Sequence, residues 1–321
     1  MLISWLQIIG GLSCLAYGAN QFINGAAHIA RAMDIPPLII GLTVVGIATS
    51  APEILVGSVA AFDGNTNIAI GNAIGSNIAN IGLVLGATAI CSPLFIASET
   101  LRREYIIMFV TMLAALRLML DLALNRMDAT LLLLVLAGSI WWIIKISRQS
   151  TKADPLAKEL AVEYKSQTPV GKSLFSLTLG LIILLVGAEY LVRGSVSVAT
   201  SLGLSDLVIG LTIVAIGTSL PELAASITSV LKNESDIAIG NIIGSNMFNM
   251  LAVVGIPTLI NPSRFGIDVI FRDFSIMYIL TILIGCMIFL RKKGRIARYD
   301  GVVLLSCFIL YQAWLFTDVS I

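Results

Sequence analysis

Charged residues are scarce in this sequence. Only 12% of its 321 residues are Asp, Glu, Lys or Arg, whereas 57% are hydrophobic. So few charges cannot cover the surface of a water-soluble protein of this size. Apolar runs near or above the roughly 18 residues that cross a bilayer recur along the whole chain. We therefore expect an all-α polytopic membrane protein, because a transmembrane barrel would show segments of about ten residues with alternating polarity.

Histidine, paired cysteines and nucleotide-binding motifs are also lacking. His28 is the only histidine, which excludes a His-based metal site, and the four cysteines are scattered without a CxxC spacing. No GxxxxGK motif followed by Ser or Thr is present, so any transport must draw its energy from an ion gradient. The net charge of +1 gives no reason to expect nucleic acid. We expect the lipid bilayer as surroundings, no cofactor and a monomeric state.

What the sequence does contain is an internal repeat at a constant offset of 169 residues. The fifty residues that begin at Gly41 and the fifty that begin at Gly210 share 21 identities without a gap. Each copy has a Glu directly after a Pro in an apolar stretch, at Glu53 and at Glu222. An acidic residue at membrane depth is costly and marks a functional site by default. Two of them related by a repeat favour a transporter whose site lies where the repeats meet.

Ten transmembrane spans fit the hydrophobic pattern, five in each half. Residues 1–146 form the first five-helix repeat, residues 147–170 a short charged linker, and residues 171–321 the second repeat. Because five is odd, the second half enters the membrane from the opposite side, which predicts two inverted repeats. The predicted spans are residues 2–30, 37–62, 68–91, 105–124, 129–146, 174–199, 207–231, 237–260, 269–290 and 301–316.

The distribution of positive charge predicts the orientation. If the N-terminus is outside, the inside segments hold fifteen Lys and Arg residues and the outside segments hold five. The positive-inside rule then places both termini outside and the linker in the cytoplasm of a multi-pass cell-membrane protein. No Lys or Arg precedes the first apolar stretch, so we interpret it as a permanent span rather than a signal peptide.

The first copy of the repeat assembles oxygen ligands around a helix break. Thr49 and Glu53 are four residues apart and share one helix face, with Ser50 beside them. Pro52 has no amide hydrogen and clashes one turn back, so residues 46–52 should kink or unwind and free carbonyl oxygens. Such groups must be buried in protein or line a wet cavity. The second copy repeats this pattern with Ala215, Thr218, Ser219, Pro221 and Glu222.

The next span in each copy adds further oxygens. Ser76 and Asn80 are four residues apart, and so are Gly71 and Gly75, which allow close helix approach. Calcium takes six to eight oxygen ligands, and two carboxylates would neutralise one Ca²⁺. No thiolate or imidazole is present to favour zinc or copper. The second copy has the same pattern at Ser245, Asn249, Gly240 and Gly244.

These motifs identify a family. GIATSAPE with GNAIGSNIAN, and GTSLPE with GNIIGSNMFN, closely resemble the two alpha-repeats of the sodium/calcium exchangers, in the cation/calcium antiporter superfamily. The resemblance covers nearly the whole chain and implies a ten-span antiporter that exchanges Ca²⁺ for Na⁺ by alternating access. It also implies that the first and sixth spans slide against the rest. The short linker corresponds to the prokaryotic type, without the large calcium-sensing domains of animal exchangers.

The resemblance also implies the role of each site residue. Glu53 and Glu222 would be the central calcium ligands, and Thr49 and Thr218 would add backbone carbonyls, with further carbonyls near Gly46 and Ala215. The flanking sodium sites would be lined by Ser50, Ser76, Asn80, Ser219, Ser245 and Asn249.

Two departures leave the coupling ion open. Some members carry Asp where this chain has Asn249, and the first motif reads IATSAPE where IGTSLPE is common. Proton/calcium exchange and potassium-dependent exchange on the same scaffold therefore remain alternatives to sodium. A cation channel is a more remote alternative. No protease, kinase or transferase motif accompanies the carboxylates, so an enzyme is not expected.

Overall fold

The computed structural model describes residues 2–33, 35–95, 99–153, 169–202, 215–289 and 295–319, and most of them are helical. The helices of the first half are α1 (Leu2–Ala32), α2 (Pro37–Ile40), α3 (Gly46–Thr49), α4 (Ala51–Phe62), α5 (Thr66–Ala79), α6 (Gly86–Cys91), α7 (Glu99–Met119) and α8 (Arg126–Ala153). Those of the second half are α9 (Val170–Ser201), α10 (Ala215–Thr218), α11 (Leu220–Leu231), α12 (Ser235–Phe248), α13 (Val254–Ile260), α14 (Ser275–Phe289) and α15 (Arg298–Val319).

The described residues contain two further kinds of element. Four π-helical segments within these ranges continue neighbouring helices, at Gly41–Val45, Asn80–Leu85, Asn249–Val253 and Val269–Phe274. Four two-residue strands are β1 (Leu94–Phe95), β2 (Ala123–Leu124), β3 (Ser263–Arg264) and β4 (Arg295–Ile296). β1 pairs with β4 and β2 with β3, both antiparallel. Each pair therefore joins one strand from each half of the chain.

The helices confirm the prediction of a helical membrane protein. Among the described residues, seven helical stretches are long and apolar enough to cross a bilayer, when directly adjoining helices are counted as one stretch. The predicted fourth and tenth spans coincide with α7 and α15. Residues 207–214 of the predicted seventh span lie outside the described part, and its remainder forms α10 and α11. The total of ten spans stays a prediction.

One predicted span boundary in the first half was wrong. The fourth span was predicted to run to residue 124, but α7 ends at Met119. Leu122 has a positive φ of 60°, and the carboxylate of Asp121 accepts a hydrogen bond from the amide of Ala123, 3.2 Å away, which ends the helix in a turn. The fifth span was predicted to end at residue 146, and the apolar stretch of α8 ends at Lys145, although the helix itself continues to Ala153. Residues 154–168 of the predicted linker lie outside the described residues.

The two halves repeat each other element by element in the described ranges. α4 and α11, and likewise α5 and α12, begin and end at positions 169 residues apart. The turns between them match as well, with positive φ values of 83° at Gly64 and 61° at Asn233. The repeat seen in the sequence is therefore also a repeat of local backbone structure.

Glycines hold α1 and α9 in close contact along their length. A Cβ atom added to Gly18 would lie 2.5 Å from the backbone nitrogen of Leu184, and one added to Gly180 would lie 2.3 Å from that of Phe22. Only residues without a side chain permit this approach, as is usual for packed membrane helices. The same kind of contact recurs at Gly11, Gly25, Gly187 and Gly194.

The centre of the fold is α12 with its π-helical continuation, where residues 237–255 are all buried. Around it pack α5, α7, α11 and the π-helical segment Gly41–Val45. A helix surrounded on all sides is hydrophobic or neutral around its whole circumference. The polar side chains of α12 from Asn241 onwards are therefore held away from lipid and water by neighbouring helices.

Candidate functional site

The site begins with a helix break in each repeat. Ser50 interrupts the helix between α3 and α4 with φ −83° and ψ 2°, and Ser219 does the same between α10 and α11 with φ −90° and ψ 4°. Pro52 and Pro221 follow within the first two positions of the new helix, where a missing amide hydrogen costs nothing. The predicted kink is therefore present, although residues 46–49 remain helical on its other side.

Each break places a glutamate in the first turn of a helix. Glu53 lies in the first turn of α4 and Glu222 in the first turn of α11. The positive end of the helix dipole and its unpaired amides favour negative charge at this position. Both carboxyl side chains are buried, each only 1% exposed. The repeat thus points two carboxylates into the interior from two related helix ends.

The glutamates of the two repeats lie near each other. The side chains of Glu53 and Glu222 are close enough to interact electrostatically, and those of Thr49 and Ser50 lie beside Glu222. Neither carboxylate oxygen of Glu222 nor Oε2 of Glu53 has a hydrogen-bond partner among the described residues. Buried polar atoms without partners are rare in proteins and call for an explanation such as a bound ion.

The asparagines of the two GSN motifs lie at a second irregularity. Asn80 and Asn249 are each the first residue of a π-helical segment that follows α5 and α12. Single π-turns within helices are frequent at functional sites. Both side chains are buried, and neither amide oxygen nor amide nitrogen has a partner among the described residues. The segment that begins at Asn80 packs against α11, and the one that begins at Asn249 packs against α4.

The remaining predicted site residues are placed as follows. Ser50 and Ser219 are buried with hydroxyl oxygens that find no partner among the described residues, and Ser245 is buried beside Thr49, with 3.3 Å between their hydroxyl oxygens. Ser76 is buried and Thr218 half-buried, and both line one cavity. The side chains of this central site offer carboxylate, hydroxyl and amide oxygens as ligands. The described residues contain no cluster of three or more His, Cys, Asp or Glu.

Asn241 is a polar residue of the site that sequence reasoning missed. Its Oδ1 accepts a hydrogen bond from the Thr49 hydroxyl at 3.1 Å. Its Nδ2 donates to the Ser226 hydroxyl at 3.1 Å and to the carbonyl of Glu222 at 3.5 Å. The signal was available, since Asn241 stands four residues before Ser245 and is repeated at Asn72.

A cavity of about 440 Å³ reaches the site from one side. Its walls include Thr218, the first three turns of α5 and the far end of α15. At one wall the side chain of Arg272 pairs with Asp273, which also accepts a hydrogen bond from the Tyr311 hydroxyl at 2.9 Å. The cavity is also lined by Ile68, Gly71, Asn72, Gly75, Ser76 and Gln312.

Comparisons with known proteins agree with the resemblance seen in the sequence motifs. A family model described as sodium/calcium exchanger protein matches residues 3–145 and 172–317. The chain is 37% identical over 318 residues to the inner membrane protein YrbG of Escherichia coli, covering 98% of both chains. It is 28% identical over 352 residues to the sodium/calcium exchanger MaX1 of Methanosarcina acetivorans, covering 98% of this chain and 99% of that one.

A comparison with a solved structure agrees with the comparisons of sequence. The structure of the sodium/calcium exchanger from Methanococcus jannaschii superimposes with a TM-score of 0.83 at 32% identity. The match covers 97% of this chain and 98% of that chain.

Proposed function

Since the chain belongs to the sodium/calcium exchanger family and is therefore a calcium antiporter and not an enzyme, we propose that it exchanges Ca²⁺ for Na⁺. The observation that carries the proposal is the pair of buried carboxylates of Glu53 and Glu222, which lie near each other with oxygens that have no partner among the described residues. Two carboxylates balance one Ca²⁺, and carbonyl, hydroxyl and amide oxygens supply the rest of its coordination.

We assign the roles of the site residues on the same basis. Glu53 and Glu222 bind Ca²⁺, with backbone carbonyls of Thr49 and Thr218 beside them. Na⁺ carries one charge and needs no second carboxylate at its own site, so neutral oxygens near the pair suit it. The residues in these sodium positions are Ser50, Ser76, Asn80, Ser219, Ser245 and Asn249.

The orientation is part of the proposal. The excess of Lys and Arg, fifteen against five, supports an outside position for both termini and a cytoplasmic position for the linker. The described cavity is lined by the start of α5, which follows the turn at Gly64. In the proposed orientation that turn is extracellular, so the cavity lies on the extracellular side of the site in this proposal.

Ion replacement in proteoliposomes tests the counter-ion. Purified protein is reconstituted with Na⁺, K⁺ or an acid interior, and uptake of ⁴⁵Ca²⁺ is followed after dilution into each external ion. We expect uptake only when Na⁺ is inside and absent outside. The matched control is protein-free liposomes with the same gradients.

Other outcomes would each contradict a named part of the proposal. Uptake driven by a proton gradient in Na⁺-free medium would make the chain a proton/calcium exchanger, and an absolute need for K⁺ would make it potassium-dependent. Calcium flux that needs no opposing ion would indicate a channel.

Replacing Asn249 by Asp should alter ion coupling more than calcium recognition. Two glutamates already balance Ca²⁺, so a third carboxylate leaves the calcium-loaded site net negative, and this buried group should take up a proton to compensate. We expect Asn249→Asp to transport calcium with a new or steeper pH dependence. Uptake of ⁴⁵Ca²⁺ over a series of pH values measures it, with Asn249→Ser as the neutral control. A wild-type pH profile and sodium dependence would remove Asn249 from the ion site.

The turns after α4 and α11 should lie on opposite sides of the membrane. Asp63 and Lys232 occupy equivalent positions of the repeat in these turns, which makes Asp63→Cys and Lys232→Cys a matched pair. In a variant without the four native cysteines, an impermeant maleimide should label Asp63→Cys only from outside and Lys232→Cys only from inside. Labelling of both from one side would rule out inverted repeats.

A further inference from the structure

The side chain of Asn241 joins the two repeats at the centre of the fold. It is 0% exposed, and the two ends of its amide contact different halves of the chain. At one end, Oδ1 lies 3.1 Å from the hydroxyl of Thr49 in α3. At the other end, Nδ2 lies 3.1 Å from the hydroxyl of Ser226 and 3.5 Å from the carbonyl oxygen of Glu222, both in α11. Asn241 therefore contacts two elements that each hold a proposed calcium ligand.

These partners determine which way the amide of Asn241 points. A backbone carbonyl can only accept hydrogen bonds, so the carbonyl of Glu222 requires the amide nitrogen on its side. The amide oxygen then faces Thr49, and an amide oxygen can also only accept. The hydroxyl of Thr49 must therefore donate, and its single hydrogen points at Asn241.

The direction of this hydrogen matters because the Thr49 hydroxyl also lies beside the carboxylate of Glu222. An ionised carboxylate is a stronger acceptor than a neutral group, yet neither carboxylate oxygen of Glu222 has a hydrogen-bond partner among the described residues. The carbonyl of Gly46, another acceptor near Thr49, is neutral and 3.5 Å away. The Ser245 hydroxyl, 3.3 Å from that of Thr49, donates in this contact because the Thr49 hydrogen is already used. Both carboxylate oxygens of Glu222 thus remain available for a cation.

We infer that Asn241 is a positioning residue for calcium binding: it holds the hydroxyl hydrogen of Thr49 away from the Glu222 carboxylate, so that both carboxylate oxygens are free to bind the cation. This role rests on the proposed function, since Glu222 enters it only as a calcium ligand. Asn241 needs no contact with Ca²⁺ itself, because its hydrogen bonds occupy both ends of its amide.

Without the acceptor on Asn241, the Thr49 hydroxyl should donate to the Glu222 carboxylate. Ca²⁺ must then break a hydrogen bond to a charged group in order to bind. Asn241→Ala should therefore weaken Ca²⁺ binding by about 10- to 150-fold, the range for a hydrogen bond of this kind. Thr49→Val removes the hydroxyl together with its hydrogen and keeps the branched shape, so it should weaken Ca²⁺ binding far less.

The double variant Asn241→Ala/Thr49→Val separates this role from a purely structural one. It lacks the misdirected hydrogen, so its Ca²⁺ affinity should recover from that of Asn241→Ala toward that of Thr49→Val. Isothermal calorimetry on the purified proteins measures these affinities. In proteoliposomes, Asn241→Ala should raise the apparent KM for ⁴⁵Ca²⁺ uptake with little loss of maximal rate. Asn241→Leu has a similar forked side chain without polar atoms, and it takes the place of Asn241→Ala if the smaller residue prevents folding.

Asn261→Ala is the matched control, because it deletes the same atoms from another asparagine that bonds to a threonine. Nδ2 of Asn261 donates to the Thr66 hydroxyl at 3.2 Å, outside the central site. Asn261→Ala should therefore bind Ca²⁺ with wild-type affinity.

Three results would overturn the role of Asn241. They are wild-type Ca²⁺ affinity in a folded Asn241 variant, a double variant that binds Ca²⁺ no better than Asn241→Ala, and failure of both Asn241 variants to fold, which would assign this residue to the fold instead. Calorimetric binding needs no counter-ion, so it is independent of the test for sodium coupling. Recovered binding in the double variant, in a protein that takes up no ⁴⁵Ca²⁺ against Na⁺, would refute sodium exchange and leave the role of Asn241 in place.

Discussion

Glu53→Gln and Glu222→Gln should each abolish calcium transport while leaving a folded protein. With one carboxylate removed, a bound Ca²⁺ keeps an uncompensated positive charge in a buried site. Removing one partner of a buried charge pair costs about 3 to 5 kcal/mol, which corresponds to roughly 10²- to 10⁴-fold weaker binding. Glutamine has nearly the same shape, so the packing around the site is retained. Binding by isothermal calorimetry and ⁴⁵Ca²⁺ uptake in proteoliposomes measure the loss.

Glu189 provides the matched control for this substitution. It also lies in a predicted span, but it is exposed and pairs with Arg193 one turn later on α9, away from the central site. Glu189→Gln leaves both carboxylates of the central site in place, so it should bind and transport calcium at the wild-type level within about twofold. Wild-type transport by either Glu53→Gln or Glu222→Gln would reject the assignment of the calcium site.

The sequence predicted the helix break because its cause is local. A proline in the interior of a continuous helix would lack an amide hydrogen and clash with the preceding turn. The structure accordingly interrupts both helices within two residues before Pro52 and Pro221. The π-helical turns at Asn80 and Asn249 were not predicted, since no local rule requires them. They depend on how neighbouring helices pack, which a single sequence pattern does not contain.

The sequence also could not predict the hydrogen bonds of Asn241. Asn72 and Asn241 stand in the same motif, so local pattern treats them as equivalent. In the structure Asn241 bonds to Thr49, Ser226 and the Glu222 carbonyl. These partners come from other helices, and one of them, Ser226, is replaced by Gly57 in the first repeat, so the motif alone does not contain them.

Gly18→Ala should destabilise the protein markedly, although alanine normally stabilises a helix. The added Cβ atom would lie 2.5 Å from the backbone nitrogen of Leu184 and 2.9 Å from both the Gly180 carbonyl oxygen and the Leu184 Cα. All three are backbone atoms, so no side-chain movement can relieve the clash. α1 and α9 must therefore separate. Overpacking of this kind costs about 1 to 3 kcal/mol, so we expect a fall of several degrees in the melting temperature in detergent.

Gly10→Ala is the control, because it lies on the same helix and makes the same chemical change. A Cβ atom at Gly10 would meet no described atom within 4 Å, so only the gain in helix propensity remains, about 0.5 to 1 kcal/mol. The melting temperature of Gly10→Ala should therefore stay equal or rise while that of Gly18→Ala falls. Equal melting temperatures would mean that α1 and α9 do not make this close contact. If they do, any sliding of the pair against the remaining helices must move both as one unit, because their backbones are locked together along three successive glycine contacts.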